Sequence, residues 1–353
     1  MKEGADSVVD RVESADLAEL GDLDIDDVYG HIDALLRELP GPLDLYRRWE
    51  RQQWAASDVD FSVDRLHWAA FNPFVREELE MILSGFFVGE QAVTDTLAPL
   101  LMGAPDEESR WFLSTQVVDE ARHAYFFARF FSEVADAGEL TVAIDRAWKY
   151  SSGPAYRQMF GPGGHLVSAT EAVRLDPGDA GLWVEGITVY HLVVEGILAL
   201  TGQRLVLRLL RRLDLLPGFR AGFTAVTRDE SRHVNYGIWA LRRAVREGHQ
   251  ARVLGAVDRT IETAMRIYVN PARRIVIPPN IPPQSRQDPR VNWDFAVDSL
   301  TRRLRATGIE GAAVEAVGQR ARAVVGAAVA EYESNHGLEH PVRAWERGEF
   351  SAQ

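Results

Sequence analysis

The pentapeptide Asp119-Glu120-Ala121-Arg122-His123 returns 110 residues later as Asp229-Glu230-Ser231-Arg232-His233. Both copies read Asp-Glu-x-Arg-His, and both sit in long, mostly apolar segments with no Gly or Pro inside or beside the motif. A helix advances about 100° per residue, so Glu and His three apart lie about 60° apart on one face. That face offers a carboxylate and an imidazole to the same metal ion. Upstream of each copy runs another apolar stretch with a lone acid, Glu90 before Glu120 and Glu195 before Glu230. The chain thus holds one two-helix unit twice, each supplying Glu and then Glu-x-x-His. Four carboxylates and two histidines in that order are the ligand set of a four-helix di-metal carboxylate bundle. The pattern predicts an all-α fold whose core carries Glu90, Glu120, His123, Glu195, Glu230 and His233 as metal ligands.

A short motif alone says little. A third Glu-x-x-His, Glu333 to His336, lies in a polar stretch just before Gly337 and reads as an accidental surface pair. The bland alternative for the two central copies is a set of buried ion pairs on core helices. Ionised carboxylates are rarely buried unless paired or metal-bound. Arg122 and Arg232 are poor partners for their own Glu, being about 200° round the helix. Divalent cations are the remaining partner.

The 353 residues contain no cysteine, which excludes disulfides, thiolate ligands, iron-sulfur clusters and cysteine nucleophiles. Oxygen and imidazole ligands suit iron or manganese with open positions better than structural zinc. A net charge of −13 speaks against a nucleic-acid partner. The acidic N-terminus lacks the apolar core of a signal peptide. The most apolar run, Ile187 to Leu200, is too short to span a bilayer and carries His191 and Glu195. A cytoplasmic protein without a membrane span is the expectation.

Three divisions are expected: an N-terminal extension over 1–45, partly disordered; a di-metal helical domain over 46–270; and a C-terminal helical extension over 271–353 packing on the same domain. Residues 1 to about 25 are acidic and poor in aromatics and read as mobile. Tyr46 to Trp68 reads as a wrapped segment that packs Trp49, Trp54 and Trp68 on the bundle without regular structure. Bundle helices are expected from Pro73 to about Met102, from near Pro105 past Phe131, from about Ala180 to Leu213, and from Pro217 to Arg246. Further helices are expected over Leu140 to Tyr150, Ala251 to Val269, Trp293 to Arg305 and Gly311 to Tyr332. The prolines from Arg273 to Pro283 interrupt any helix there.

Beyond the ligands, Phe87-x-Gly89-Glu90-x-x-Val93-Thr94, Ala155-Tyr-Arg-Gln-Met-Phe160, Val194-Glu-Gly-Ile-Leu-Ala-Leu-Thr-Gly202 and Asp58-x-Asp60-Phe61 carry a family likeness. Over roughly residues 46–270 the chain resembles the R2-like ligand-binding oxidases, relatives of the ribonucleotide reductase small subunit. The resemblance implies a ferritin-like bundle holding manganese and iron, or two irons, that activates O2. It implies an ether crosslink between a valine three residues after the first Glu and a tyrosine five before the third, here Val93 and Tyr190. A long-chain fatty acid in an apolar channel, its carboxylate bridging the metals, and a homodimer are implied as well. Phe86, Phe87, Met81 and Leu192 are candidates to line that channel. Geometry favours Val93, which shares a face with Glu90; Tyr190 is about 140° from Glu195 on an α-helix and must reach across.

The implied arrangement has Glu90, Glu120 and His123 on one metal and Glu195, Glu230 and His233 on the other, with bridging carboxylates. Asp119 and Asp229 are expected to orient the imidazoles, as metal-bound histidines require. A reductase subunit typically carries a radical tyrosine four residues after the first His, where this chain has Phe127, and usually an Asp where this chain has Glu90. The N-oxygenase relatives carry an additional His four residues before the last Glu, and here that position is Val226. His191 reads as a hydrogen-bonded core histidine rather than an extra ligand. The alternatives are a di-iron monooxygenase of small-molecule metabolism without a crosslink, a reductase small subunit, or a ferritin-like metal store.

Overall fold

The computed structural model describes residues 11–151, 153–275 and 287–350, and among these the only regular elements are helices. Four helical rods form the centre. The first is α5 (Pro73–Met102), preceded in the chain by α1 (Leu17–Asp22), α2 (Ile25–Glu38), α3 (Pro42–Arg51) and α4 (Ser62–Ala70). The second is α6 (Glu107–Glu133), followed by α7 (Leu140–Tyr150), α8 (Pro154–Phe160) and α9 (His165–Leu175). The third is continuous from α10 (Ala180–Ile187) through a π-helical stretch (Thr188–Ala199) into α11 (Leu200–Arg212). The fourth, α12 (Pro217–Arg246), leads into α13 (Gln250–Val269), α14 (Pro289–Ala306), α15 (Ala312–His336) and α16 (Val342–Glu346).

Local chemistry sets the rod ends. Asn72 caps α5 through the Val75 N–H at 3.0 Å, with Pro73 at the first helical position. Asp106 caps α6 through the Ser109 N–H at 2.8 Å. The start of α12 is capped from another element: buried Asp64 on α4 accepts from the Gly218 and Phe219 N–H groups at 2.9 and 2.7 Å. The rods also approach closely. A Cβ on Gly237 would lie 2.2 Å from the His191 Cβ, so only glycine lets α12 meet the π stretch there.

Two expectations near the N-terminus are corrected. The stretch read as mobile to about residue 25 contains α1, and α1 packs along α12. Arg228 on α12, itself buried, donates to the Ala15 carbonyl at 2.7 Å and anchors this segment. The acidic, aromatic-poor composition misled because a buried arginine helps to hold the backbone. Tyr46 to Trp68 is largely α3 and α4 rather than irregular wrapping.

One buried apolar cluster includes residues from Ala15 to Ala321, and a smaller one joins Val269 and Trp293 to Ala328, Val329 and Val342. The third rod is apolar and long enough to span a bilayer, yet 89% of its most apolar window is buried inside the protein. The proline-rich segment Arg273 to Pro283 falls mostly outside the described residues. The helix His165–Leu175 was not anticipated; it follows Gly161-Pro-Gly-Gly164 and packs on α5.

Candidate metal centre

Each bundle rod presents its acid inward. Glu90 comes from α5, Glu120 and His123 from α6, Glu195 from the π stretch, and Glu230 and His233 from α12. All six are buried. Glu90, Glu120, His123 and Glu230 bring one donor atom each within 4.8 Å of one another, and so do Glu120, Glu195 and His233. Glu120 belongs to both groups. Glu230 also faces both imidazoles, at 3.5 Å from each Nδ1.

The imidazoles are oriented alike. His123 turns Nδ1 towards Glu90 at 3.4 Å and Nε2 towards the Asp229 Oδ2 at 3.2 Å. His233 turns Nδ1 towards Glu120 at 3.3 Å and Nε2 towards the Asp119 Oδ2 at 3.1 Å. Each histidine therefore uses the aspartate of the other pentapeptide copy. A carboxylate on Nε2 keeps the proton there and leaves the Nδ1 lone pair free for a cation. Linear spacing does not reveal that crossing, because it depends on α6 and α12 lying side by side.

The arginines answer the ion-pair alternative. Arg232 donates to Asp119 at 2.9 Å and Asp229 at 2.7 Å, and Arg122 donates to Asp229 at 3.1 Å and also to Asp119. Two arginines and two aspartates form a closed quartet behind the histidines. Trp49 and Trp54 complete it, their indole N–H groups donating to Asp119 and Asp229 at 2.9 and 2.8 Å. No guanidinium in the quartet reaches the four glutamates. Glu90, Glu120, Glu195 and Glu230 each keep a buried oxygen without a donor, and both inward Nδ1 atoms lack a partner as well. Buried unsatisfied groups are rare unless something fills the space between them. Four carboxylates with two neutral imidazoles balance two divalent cations, so the residues fit a dinuclear centre of hard or borderline metals.

Without cations the cluster shares protons. Burial, only partly opposed by His123, holds the Glu90 carboxyl up at about 8. Burial and the neighbouring carboxylates also raise Glu195 and Glu230. Burial pushes Glu120 up, but the proximity of the His123 and His233 imidazoles, at 3.5 and 3.3 Å, outweighs it and keeps that carboxyl low. Between pH 4.5 and about 8 the folded chain holds a proton on Glu90 that the unfolded chain has released, so Glu90 progressively lowers metal-free stability across that window. Cations displace the same proton. Metal affinity is expected to rise with pH up to about 8, with proton release on uptake. Calorimetric titration in two buffers of different ionisation enthalpy checks this, and affinity flat across the window with no protons released would contradict it.

Tyr190 differs from its α-helical expectation. In the π register each N–H reaches the fifth residue back, so residues five apart return to one side. Tyr190 and Glu195 both lie in the π stretch and face the cluster together. The Tyr190 hydroxyl lies 3.2 Å from the Val93 carbonyl oxygen and 3.3 Å from the Glu120 Oε1. Burial and the surrounding carboxylates push its phenol well above the usual range, so it stays protonated.

Gln116, one turn before Glu120, was missed by sequence reasoning. Its amide nitrogen donates to Glu195 at 2.8 Å and to Glu120 at 3.2 Å, and its oxygen takes the His191 Nε2 at 3.0 Å. His191 is thus a hydrogen-bonded core histidine; burial drops its pKa to about 3, keeping it neutral. Gln116 shares the inward face of Glu120, the one signal that could have flagged it. Glu333 pairs with Arg343 at 2.8 Å and His336 with the Pro271 carbonyl at 3.2 Å, away from the cluster. Phe127 is buried among Phe86, Phe87 and Phe223, whereas Tyr125 is exposed.

A cavity of about 370 Å³ adjoins the cluster, lined by Glu90, Glu195 and Glu230 together with Met81, Phe86, Val93, Tyr156, Val194, Leu198, Ile267 and Tyr268. Arg266 and Arg273 also border it. Of the four residues expected in a channel, Met81 and Phe86 line it; Phe87 and Leu192 do not, because their side chains are fully buried in the core instead.

Four helical rods with a buried Glu/His cluster of this composition define an R2-like di-metal carboxylate protein. Residues 38–270 match the family "ribonucleotide reductase, small chain", and the chain belongs to that family. Among solved structures, it is similar to an R2-like ligand-binding oxidase from Sulfolobus acidocaldarius, with 24% identity and a TM-score of 0.58 over 79% of this chain and 90% of that one. It is also similar to a valine-to-leucine variant of an R2-like ligand-binding oxidase with an aerobically reconstituted Mn/Fe cofactor. That match has 20% identity and a TM-score of 0.57 over 82% of this chain and 92% of that one. A tyrosine-to-phenylalanine variant with the same type of cofactor matches at 21% identity, with a TM-score of 0.53 and the same coverage of 82% and 92%.

Proposed function

We propose that this protein is an R2-like ligand-binding oxidase: a manganese/iron or di-iron protein that uses O2 to oxidise C–H bonds. The reading includes a Val93–Tyr190 ether crosslink and a long-chain fatty acid in the cavity beside the cluster. Glu90, Glu120 and His123 would hold one metal, and Glu195, Glu230 and His233 the other, with Glu120 shared. When bound, such a pair supplies the reduction of dioxygen and the power to remove hydrogen from an unactivated C–H bond.

The observation that carries the reading is the Tyr190 hydroxyl at the edge of the carboxylate cluster, 3.3 Å from the Glu120 Oε1 and 3.2 Å from the backbone carbonyl of Val93, whose residue borders the adjoining cavity. The chain's own residues then have definite tasks. Asp119 and Asp229 hold the two imidazoles with Nδ1 inward. Gln116 holds Glu195 and Glu120 by its amide. The cavity's largely apolar wall suits an alkyl chain, with three carboxylates at hand for a cation that a ligand carboxylate would share. Ether formation removes one hydrogen from the Val93 side chain and one from the Tyr190 oxygen; the two electrons and two protons pass to dioxygen. Buried Phe127, where a reductase subunit would place its radical tyrosine, weighs against that alternative.

Mass spectrometry of protein metallated in air, compared with anaerobic metal-free protein, tests this. The expected result is a linked peptide pair containing Val93 and Tyr190, lighter by two hydrogens, that disappears in Tyr190→Phe. Two bound metals without that pair would favour a di-iron monooxygenase, and no bound metal would end both readings.

A further inference from the structure

We propose that Ser299, Tyr268 and Tyr29 are positioning residues: their hydroxyls hold the π register of residues 188–199 and so place Glu195 and Tyr190. The return from π to α takes the helical donor from one carbonyl, that of Gly196. In an α-helix the Leu200 N–H would take the Gly196 carbonyl; here it goes to the Glu195 and Ile197 carbonyls instead. Gly196 O loses its α-helical donor, and the Ser299 hydroxyl on α14 donates to it at 2.9 Å. The next two carbonyls, Ile197 and Leu198, accept from the Tyr268 hydroxyl on α13 at 3.0 and 2.8 Å. The Leu200 carbonyl accepts from Tyr29 on α2. Hydroxyls from three separate elements therefore converge on four carbonyls within the five residues that follow Glu195.

Donor and acceptor roles are determined at Ser299. The Arg303 guanidinium donates to the Ser299 oxygen, and a guanidinium cannot accept. The serine proton is left to point at Gly196 O. Glycine at 196 lets this happen, since a Cβ there would sit 3.1 Å from the Arg303 Cδ and 3.0 Å from the His191 carbonyl oxygen. The arrangement biases the register. In the π register the Ser299 hydroxyl replaces the donor that Gly196 O has lost, whereas in the α register it would only add a second one, so the hydroxyl favours π, and its loss leaves the carbonyl short of that donor. Reversion to the α register would also turn Tyr190 away from the side occupied by Glu195, because five residues make a common face only in the π register.

The spectroscopic part of the test rests on the metal reading above; the exchange part does not. Full-length Ser299→Ala, Ser299→Thr and Tyr268→Phe are loaded anaerobically with cobalt(II), and hydrogen exchange is followed over residues 195–205 of the metal-free proteins. The expected result is undiminished cobalt stoichiometry, an altered cobalt ligand-field spectrum in Ser299→Ala and Tyr268→Phe, and the wild-type spectrum in Ser299→Thr. Exchange over 195–205 should quicken by about tenfold or more in the first two variants. Unchanged exchange in both overturns the proposal. Faster exchange with a wild-type cobalt spectrum overturns the positioning role and leaves only a stabilising one. If wild-type protein takes up no cobalt, the metal reading fails and exchange alone decides the register bias. Should Ser299→Ala not fold, Tyr268→Phe, which removes one oxygen, carries the test.

Discussion

Glu120→Ala is expected to reduce bound metal from about two ions per chain to about none. Glu120 is the one carboxylate that belongs to both donor groups, and it lies 3.5 Å from the His123 Nδ1 and 3.3 Å from the His233 Nδ1. Its removal takes an oxygen from each metal position at once. Loss of Glu90 or Glu195, each of which belongs to one group only, opens one position more than the other. Alanine also deprives Gln116 of one acceptor and Tyr190 of its carboxylate partner, loosening Glu195 as well. Elemental analysis after anaerobic loading reads the result directly, and Glu333→Ala, on the third Glu-x-x-His, should keep the full complement. Thermal denaturation supplies a second readout. A ligand present at 100 times its dissociation constant stabilises a fold by about 2.7 kcal/mol, so metal should raise the wild-type transition and leave Glu120→Ala where it was. Two metals in Glu120→Ala would remove Glu120 from the site.

Arg232→Met is expected to destabilise the metal-free protein by about 3–5 kcal/mol, the usual consequence of breaking a buried ion pair from one side. Arg232 is 1% exposed and donates to both aspartates of the quartet. Methionine keeps much of the volume but leaves Arg122 as the only guanidinium between Asp119 and Asp229. That residual charge sits against His123 and His233, so the imidazoles lose the fixed carboxylates that define their tautomer. Metal affinity should fall by about 10–100-fold as a result. Denaturant midpoints of metal-free protein isolate the first effect from the second. A shift no larger than an exposed pair gives, about 1 kcal/mol or less, would mean the quartet is not the closed unit its distances describe.

The duplicated pentapeptide was enough to specify the class. Glu and His three apart share a helix face whatever the helix packs against, and two copies with upstream acids leave few folds that bury so many carboxylates. The all-α architecture, the four rods and the inward glutamates were therefore legible in linear order. The resemblance singles out Phe127 and Val93 by their offsets from His123 and Glu90, and in the fold Phe127 is buried and Val93 borders the cavity beside the cluster. Only tertiary structure paired His123 with Asp229 and His233 with Asp119, because that crossing depends on how α6 lies against α12. It alone assigned both arginines to aspartates rather than glutamates, and it recruited Gln116 and the two indoles from segments whose sequence carries no motif. The largest difference was the π stretch. Periodicity assumes a fixed turn per residue, and Tyr190 looked out of phase with Glu195 on that assumption. The phase was changed by hydroxyls on α2, α13 and α14, which lie far from Tyr190 in sequence and are assembled only by the fold.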